Sequence, residues 1–240
     1  MREYQFYLVS TPIGNLADLS ERAAETLRSV DVILAEDTRK ARVLLGRYGI
    51  TTKLRSYHDY NEARTAPGIV GELKGGARMA LIADAGTPLV SDPGYYLVRT
   101  LIAEGVSMTA IPGPSAALDA LVLSGLPPDR FTFYGYLPRK SGERERLIRE
   151  AIESPYTSIF YESPHRLPAA LEDLARLAGE REFVVARELT KVFEEVARGT
   201  ARELLDHFGA SPIKGEITIL MRGLGRRRGA RRGEDGKGKD

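Results

Sequence analysis

Short apolar runs alternate along this chain with segments of helical period. The runs "QFYLVS" (5–10), "DVILAE" (31–36), "KLRSY" (53–57), "MALIAD" (79–84) and "SMTAI" (107–111) have strand length and are mostly rich in aliphatic and aromatic residues, so each predicts a strand. Between them the spacing turns helical. One helix is expected from about Leu19, with Asp18 and Glu21 at capping-box separation, and another over "RKARVLLGRYG", ending at Gly49. Pro67 fits the first turn of a third that stops at Gly75-Gly76, and "YYLVRTLIAEG" reads as a fourth. Strands in regular alternation with helices predict a parallel, doubly wound α/β sheet.

After "PGPSAALDALVLSG" (112–125) the pattern changes. Pro127-Pro128 marks a linker, followed by the strand "RFTFYGY" and a charged helix over "SGERERLIREAI". Then come the strand "TSIFYE", a helix opened by Ser163-Pro164, the runs "EFVVARE" and "VFEEVARG", the helix "ARELLDHF" and a closing strand "EITILMR". Adjacent strands here predict a mixed sheet. The expected fold class is therefore α/β with two α/β domains, an N-terminal one over 1–112 and a C-terminal one over 129–222. A connecting helix and linker would fill 113–128, with a basic tail over 223–240.

Ligands of open α/β sheets bind beyond the carboxyl ends of the strands, and there the unusual residues gather. The first five strands end in "STPIGN", "AEDTRK", "YHDYNE", "DAGTPLVSDPG" and "PGPSAA". Each alone reads as a turn; five on one edge read as a ligand cleft. The fourth poses a question of its own. One turn signal suffices for a strand-to-helix connection, yet Gly86-Thr87-Pro88 is followed almost at once by Asp92-Pro93-Gly94. Glycine allows a ligand close to the main chain, and proline stiffens the loop that holds it.

Composition narrows the chemistry. The chain has 240 residues, 42% of them hydrophobic, and no cysteine, which removes disulfides, thiolate metal sites and cysteine nucleophiles. No run reaches the ~18 apolar residues of a membrane span. "MREYQFYLVS" lacks the layout of a secretory signal, so a cytoplasmic protein is expected, with no membrane association. The net charge of +2 hides an asymmetry: residues 222–240 hold eight Lys/Arg against three Asp/Glu, so the body is slightly acidic. That tail is either a solvated terminus or an electrostatic arm for phosphate backbones. Neither a G-x-G-x-x-G after the first strand nor a P-loop motif is present. Ser115 does not lie in a G-x-S-x-G elbow. The three histidines, His58, His165 and His207, are not at metal-ligand spacing, so no metal is expected.

The blocks "STPIGNLADLSERA", "AEDTRKARVLL", "HDYNE", "DAGTPLVSDPGYYLVR", "PGPSAALDAL", "YESPHRL", "ARELTK…E" and "KGEITIL" occur in order from about Phe6 to Met221. Together they resemble the bacterial 16S rRNA cytidine-2′-O-methyltransferases of the tetrapyrrole-methylase superfamily. The resemblance implies two α/β domains with S-adenosylmethionine in the cleft between them, usually in a homodimer. It also implies methyl transfer to a cytidine ribose 2′-oxygen in the decoding region of 16S rRNA, on the small ribosomal subunit. By this resemblance Asp84, Ala85, Gly86, Thr87 and Pro88 wrap the methionyl part of the cofactor, and the second turn fixes the far side of the loop with Pro93 in the next helix's first turn. Pro12, Ser115, Ala116 and Tyr161 fall on further cofactor-side blocks. Many family members carry a helical segment after the closing strand; here the basic tail follows, and it is expected to share in RNA docking.

Methyl transfer from a sulfonium is an in-line displacement that depends on alignment, with help from a base for the hydroxyl. The candidates at strand ends are Glu36, Asp37, His58 and Glu62, with Asp59 beside them. Asp37 could equally be the N-cap of the helix that follows. Asn61 is a candidate for orienting the ribose, and Arg39, Lys40, Arg166, Lys191 and Lys214 for gripping phosphates. Tyr57, Tyr60 and Tyr161 could stack on a splayed base, or simply pack. Two other readings stay open: a tetrapyrrole methyltransferase of the same superfamily, and a non-catalytic RNA-binding factor. The missing glycine fingerprint leaves a dinucleotide-dependent oxidoreductase little room.

Overall fold

A computed structural model describes residues 4–209 and 213–225; most of the basic tail lies outside the described residues. The first sheet contains β1 (Phe6–Val9), β2 (Val32–Ala35), β3 (Lys53–Ser56), β4 (Met79–Ile82) and β5 (Met108–Ile111). All are parallel, in the order β3-β2-β4-β1-β5. Strands β2 and β4 are buried at every position. Their unbroken apolar runs follow from having both faces covered. On one face α1 (Glu21–Ser29) and α2 (Thr38–Arg47) place Leu27, Leu44 and Leu45 against Val9, Ile33 and Ile82. On the other, α3 (Glu62–Lys74) and α4 (Tyr95–Ala103) place Ile69, Leu73, Leu97 and Leu101 against Phe6, Leu34 and Leu81.

The second sheet contains β6 (Phe131–Tyr136), β7 (Thr157–Glu162), β8 (Glu182–Arg187), β9 (Glu195–Thr200) and β10 (Ile217–Met221), in the order β6-β7-β10-β8-β9. It is mixed: β6 and β7 are parallel, and the remaining pairs are antiparallel. Side chains alternate between its faces as a pleated strand requires. Phe160, Phe183, Val185 and Ile219 meet α6 (Ser141–Glu153), α7 (Leu167–Ala178) and α8 (Ala201–Gly209), while Ile159, Val184 and Leu220 meet α5 (Ala116–Ser124). Among the described residues, no helix is long and apolar enough to cross a membrane.

Several helix starts differ from expectation. Ser20, not Asp18, caps α1: its Oγ accepts from Ala23 N at 3.1 Å, and Asp18 lies in a separate 3₁₀ turn, Leu16–Asp18. Pro67 lies inside α3 instead of its first turn. The helix begins upstream because Thr65 N and Thr65 Oγ1 both donate to the Asn61 carbonyl, closing the first turn there. At Ser163-Pro164 the chain makes a turn, with Arg166 N and Leu167 N both on the Ser163 carbonyl, and α7 starts only at Leu167. Pro93 precedes α4, whose N-cap is Gly94.

One consequence of this topology positions the site. Strand β4 lies between β1 and β2. The helices that follow β1 and β2 cover one face of the sheet, and the helix that follows β4 covers the other. Chains leaving neighbouring strands toward opposite faces open a crevice at the carboxyl end of β4.

Candidate functional site

The segment 83–94 fills that crevice, and its two turns do different work. The first pairs with the chain just beyond β1: Thr11 N donates to the Gly86 carbonyl at 2.9 Å, and Gly86 N returns a bond to the Thr11 carbonyl at 3.0 Å. Gly86 sits at φ 80°, where a β-carbon would lie 3.4 Å from the Ile13 side chain. Thr87 Oγ1 shares a 3.1 Å hydrogen bond with Ser10 Oγ and donates to the Pro114 carbonyl at 3.3 Å. The second turn drops the chain into α4. Gly94 has φ 126°, and a β-carbon there would come within 2.6 Å of Leu81. Between the turns Leu89 packs toward the core, while Val90, Ser91 and Asp92 line the cleft.

Neighbouring strand ends are tied to this loop. The Asp84 carboxylate accepts from Asp37 N at 3.1 Å and from Lys40 Nζ at 2.8 Å, joining β4 to the start of α2. Asp37 is the N-cap of α2: its Oδ1 accepts from Arg39 N at 2.8 Å. Hydrogen bonds from Arg39 hold its carboxyl down at about 2. Of the two readings of Asp37, the helix cap is the one formed. At the end of β3, Asn61 Oδ1 accepts from His58 N at 3.0 Å, and Nδ2 donates to Ser56 O and to His58 Nε2. Its amide closes a turn. Because His58 Nε2 accepts, the neutral ring carries its proton on Nδ1, which is buried and finds no partner among the described residues. Glu62 accepts from the hydroxyl of the fully buried Tyr57 at 3.2 Å, so Tyr57 belongs to the core; Tyr60 is exposed.

The second sheet closes the cleft from the opposite side. Strands β6, β7 and β8 run in the same sense, so their carboxyl ends share an edge with the start of the oppositely directed β10. That edge supplies Tyr136, Tyr161, Ala186, Glu216, Ile217 and Thr218; the first sheet supplies Ile13, Glu36, Asp84, Ala85, Gly86 and the 90–92 segment; Ala116 opens α5. Burial pushes the Tyr161 hydroxyl up to about 12, so it stays protonated. Burial, then the charges of Asp84 and Asp59, raises Glu36. Asp92 is raised furthest, to about 7, first by burial and then by Glu36, Asp84, Glu216 and Asp59.

Six of the expected site residues therefore meet in one cleft: Glu36, Asp84, Ala85, Gly86, Ala116 and Tyr161. Pro12, Thr87, Pro88 and Ser115 are not in its lining, although each is within one residue of Ile13, Gly86 or Ala116 in sequence or, for Pro88, two. Asp37, His58, Asn61 and Glu62 lie outside its lining. Most of the expected phosphate contacts are already paired. Lys40 is on Asp84, Arg39 on Asp37, and Lys191 on Glu188 at 2.7 Å and Glu216 at 3.2 Å. The Arg166 guanidinium donates to the Leu137 and Pro138 carbonyls and lies 3.0 Å from Glu162 Oε2. That last approach is off the hydrogen-bonding direction, which leaves it an ionic contact to a buried carboxylate. Lys214 is exposed. Sequence reasoning missed Asp92, Tyr136, Glu216 and Thr218. The strand-end rule would have found Tyr136 had it been carried into the second half; Glu216 precedes its strand and escapes that rule.

The family model of Tetrapyrrole (Corrin/Porphyrin) Methylases matches residues 5–205. The chain belongs to the tetrapyrrole methylase family. Among curated relatives of this methyltransferase family, the "Ribosomal RNA small subunit methyltransferase I" of Mesorhizobium japonicum is 51% identical over 221 residues, covering 91% of this chain and 75% of that protein. The protein of the same name from Escherichia coli O157:H7 is 46% identical, covering 91% and 78%. Solved methyltransferases share the fold at lower identity. The methyltransferase CobJ superposes with a TM-score of 0.67 at 20% identity over 95% of this chain and 98% of its own. Uroporphyrin-III-C-methyltransferase from Thermus thermophilus gives 0.61 at 18% identity over 92% and 94%.

Proposed function

We propose that this chain transfers a methyl group from S-adenosylmethionine to the ribose 2′-oxygen of a cytidine in the decoding region of 16S rRNA. It works on the small ribosomal subunit, in the cytoplasm, as a homodimer of chains divided at 1–112, 113–128, 129–222 and 223–240. The observation that carries this reading is the 51% identity, over nearly the whole chain, to a protein named as a small-subunit rRNA methyltransferase.

The cleft suits the cofactor. Gly86 presents main chain where a side chain would crowd Ile13, and Ala85 and Ala116 keep the lining small. Ala85, Gly86, Ala116 and Tyr161 would hold the cofactor, with Asp84 fixing the loop through Lys40 and the Asp37 amide. When bound, it supplies an activated methyl group on a positively charged sulfur. The carboxylates of Glu36, Asp84, Asp92 and Glu216 give the cleft the opposite sign, which favours a cationic donor in a partly dry site. The chain's own contribution is alignment of the hydroxyl with the methyl carbon and exclusion of water.

Labelled S-adenosylmethionine offered to unmodified small subunits and to free rRNA tests the reading. Label at one cytidine whose ribose then resists alkaline cleavage supports it. Cofactor binding without label on either acceptor overturns it and favours a tetrapyrrole acceptor.

A further inference from the structure

We propose that Tyr136 and the loop after it, residues 137–140, form the subsite for the acceptor nucleotide. The Tyr136 ring stacks on the base whose ribose is methylated, and Arg139 and Lys140 hold the flanking phosphates. The inference rests on the rRNA-methyltransfer reading above and names the surface that takes its substrate.

A single inserted residue puts Tyr136 in the cleft. Along β6, Phe133 faces the α5 side of the second sheet together with Tyr161, and Tyr134 faces the helices on the other side. Strict alternation would return Tyr136 to the Tyr134 side. The register instead pairs Phe133 with Ile159 and Tyr136 with Tyr161, a step of three residues on β6 (133 to 136) against two on β7 (159 to 161). Gly135, at φ 69°, lies inside this bulge. With the extra residue, Tyr136 turns to the cleft and Leu137 goes into the core behind the sheet. Gly135 itself lies against the cofactor loop: a β-carbon there would sit 3.4 Å from Ser91 Oγ.

The ring delivered to the cleft is left open. Tyr136 meets Tyr161 edge to face, with ring centroids 5.6 Å apart, yet it is 55% exposed, while Tyr161 is half-buried. Burial, then the charges of Glu216, Asp92 and Glu162, raises the Tyr136 hydroxyl, so the ring stays neutral beside a polyanion. An exposed aromatic face at a cleft edge suits a splayed nucleobase, since every base has a π-face.

The loop that follows is held from inside and charged outside. The Arg166 guanidinium donates to the Leu137 and Pro138 carbonyls, Arg144 Nη1 to the Arg139 carbonyl at 3.4 Å, and Arg144 N to that of Lys140 at 2.9 Å. Arg144 is fixed in turn by Asp173 at 2.7 Å, and Arg166 by its ionic contact with Glu162. Arg139 and Lys140 remain exposed. Among the described residues the Arg139 side chain has no ion pair, and Lys140 meets only the exposed Glu143, at 3.3 Å. Arg166, expected to grip phosphate, thus supports the two cations that do. Those cations also decide which partner the ring takes. S-adenosylmethionine carries a positive sulfur and no phosphate, whereas a nucleotide inside a strand has a phosphate on either side.

The test measures methyl transfer to unmodified small subunits and to free rRNA by wild type, Y136A, Y136F and the double variant R139A/K140A, with donor affinity and thermal midpoint alongside. Y136A should raise KM for the RNA acceptor about tenfold to a hundredfold, the loss expected for one base–aromatic stack. Its donor affinity should stay within about threefold, and its thermal midpoint within a few degrees. Y136F, which keeps the ring, should recover most of the loss. R139A/K140A should raise KM and flatten its slope against salt, on logarithmic axes, by about 1 to 2. A wild-type KM in Y136A overturns the base assignment, and so does a Y136F as poor as Y136A. Donor affinity lost tenfold in Y136A overturns it too, by giving the ring to the donor's adenine. An unchanged salt slope in the double variant overturns the phosphate assignment. Wild type that methylates neither acceptor overturns the acceptor reading and the proposal with it; an active wild type with unaffected variants overturns the proposal alone.

Discussion

The two sheets build one cleft by opposite means. In the first, every strand is parallel, so all five carboxyl ends and the loops after them arrive at a single edge. The chemistry of that edge is concentrated in loops, where glycine and proline can shape main chain. In the second, antiparallel pairing brings strand starts and strand ends to the same edge, so it contributes strand residues themselves: Tyr136, Tyr161 and Ala186 near ends, Ile217 and Thr218 at a start. The first sheet supplies a shaped, polar floor. The second supplies a rigid wall. A parallel sheet gathers function by topology, while a mixed one does so only where its pleat happens to face the site.

The largest predicted effect tests whether the wall is a structural unit in its own right. Phe160 is fully buried between the second sheet and its helices, stacked on Tyr134 with ring centroids 5.2 Å apart. Phe160→Ala should cost about 3–5 kcal/mol in urea unfolding. If near-ultraviolet signals from the two halves separate in that variant, the sheets unfold independently; a single lowered transition means that the cleft couples them.

A smaller effect is expected in the floor. Gly94→Ala combines an unfavourable φ with overlap on Leu81 and Leu89, and should cost about 2–4 kcal/mol and weaken cofactor binding by displacing the loop. Gly105→Ala is its control. Gly105 has a positive φ but nothing within 4 Å of a β-carbon, so only the conformational cost of about 1 kcal/mol applies. Equal losses in the two would mean that packing at Gly94 contributes nothing.

Asp92 sharpens the contrast through pH. Its folded pKa of about 7 lies above the ordinary value of 3.8, so the folded state binds the proton more tightly than the unfolded chain. Ionisation therefore opposes folding, and stability from this group falls as pH rises from about 4 through about 7. Asp92→Asn should be more stable than wild type at pH 8 by about 1–2 kcal/mol, allowing for partial solvent screening, and equal to it below pH 4. A variant that is less stable at pH 8 would mean that the carboxylate has a stabilising partner. Greater stability with lower activity is the usual signature of a group kept for function.

The same contrast explains how much could be read in advance. Runs such as "DVILAE" and "MALIAD" announce strands because a sheet covered on both faces needs continuous apolar residues, and the parallel rule then places Glu36, Asp84 and Gly86 at one edge. Glu216 precedes its strand, so no strand-end rule finds it. Asp92 was visible as a turn residue, but its environment comes from the ends of β2 and β3 and the start of β10 as well as from its own strand, β4, which no local pattern encodes. Helix starts failed for a different reason. Pro67 is a strong local signal, yet the Asn61–Thr65 bonds upstream start α3 earlier. Conversely, Lys40, Arg166 and Lys191 read as phosphate contacts because sequence shows the cation and not the carboxylate it meets.

Asp37 gives the smallest effect and the cleanest separation of support from chemistry. Its Oδ1 accepts from Arg39 N while its own N–H is held by Asp84, so it fastens the start of α2 to the floor of the cleft. Asparagine preserves the cap acceptor, and alanine does not. Asp37→Asn should keep the thermal midpoint of wild type near neutral pH, and Asp37→Ala should lower it by a few degrees at most. The Arg39 pair is exposed and should matter little. Since the carboxyl is held down at about 2 in the fold against an ordinary 3.8, wild type should fall below the asparagine variant as pH drops through that window. An asparagine variant as unstable as alanine at pH 7 would show that the charge, and not the cap, is what the start of α2 requires.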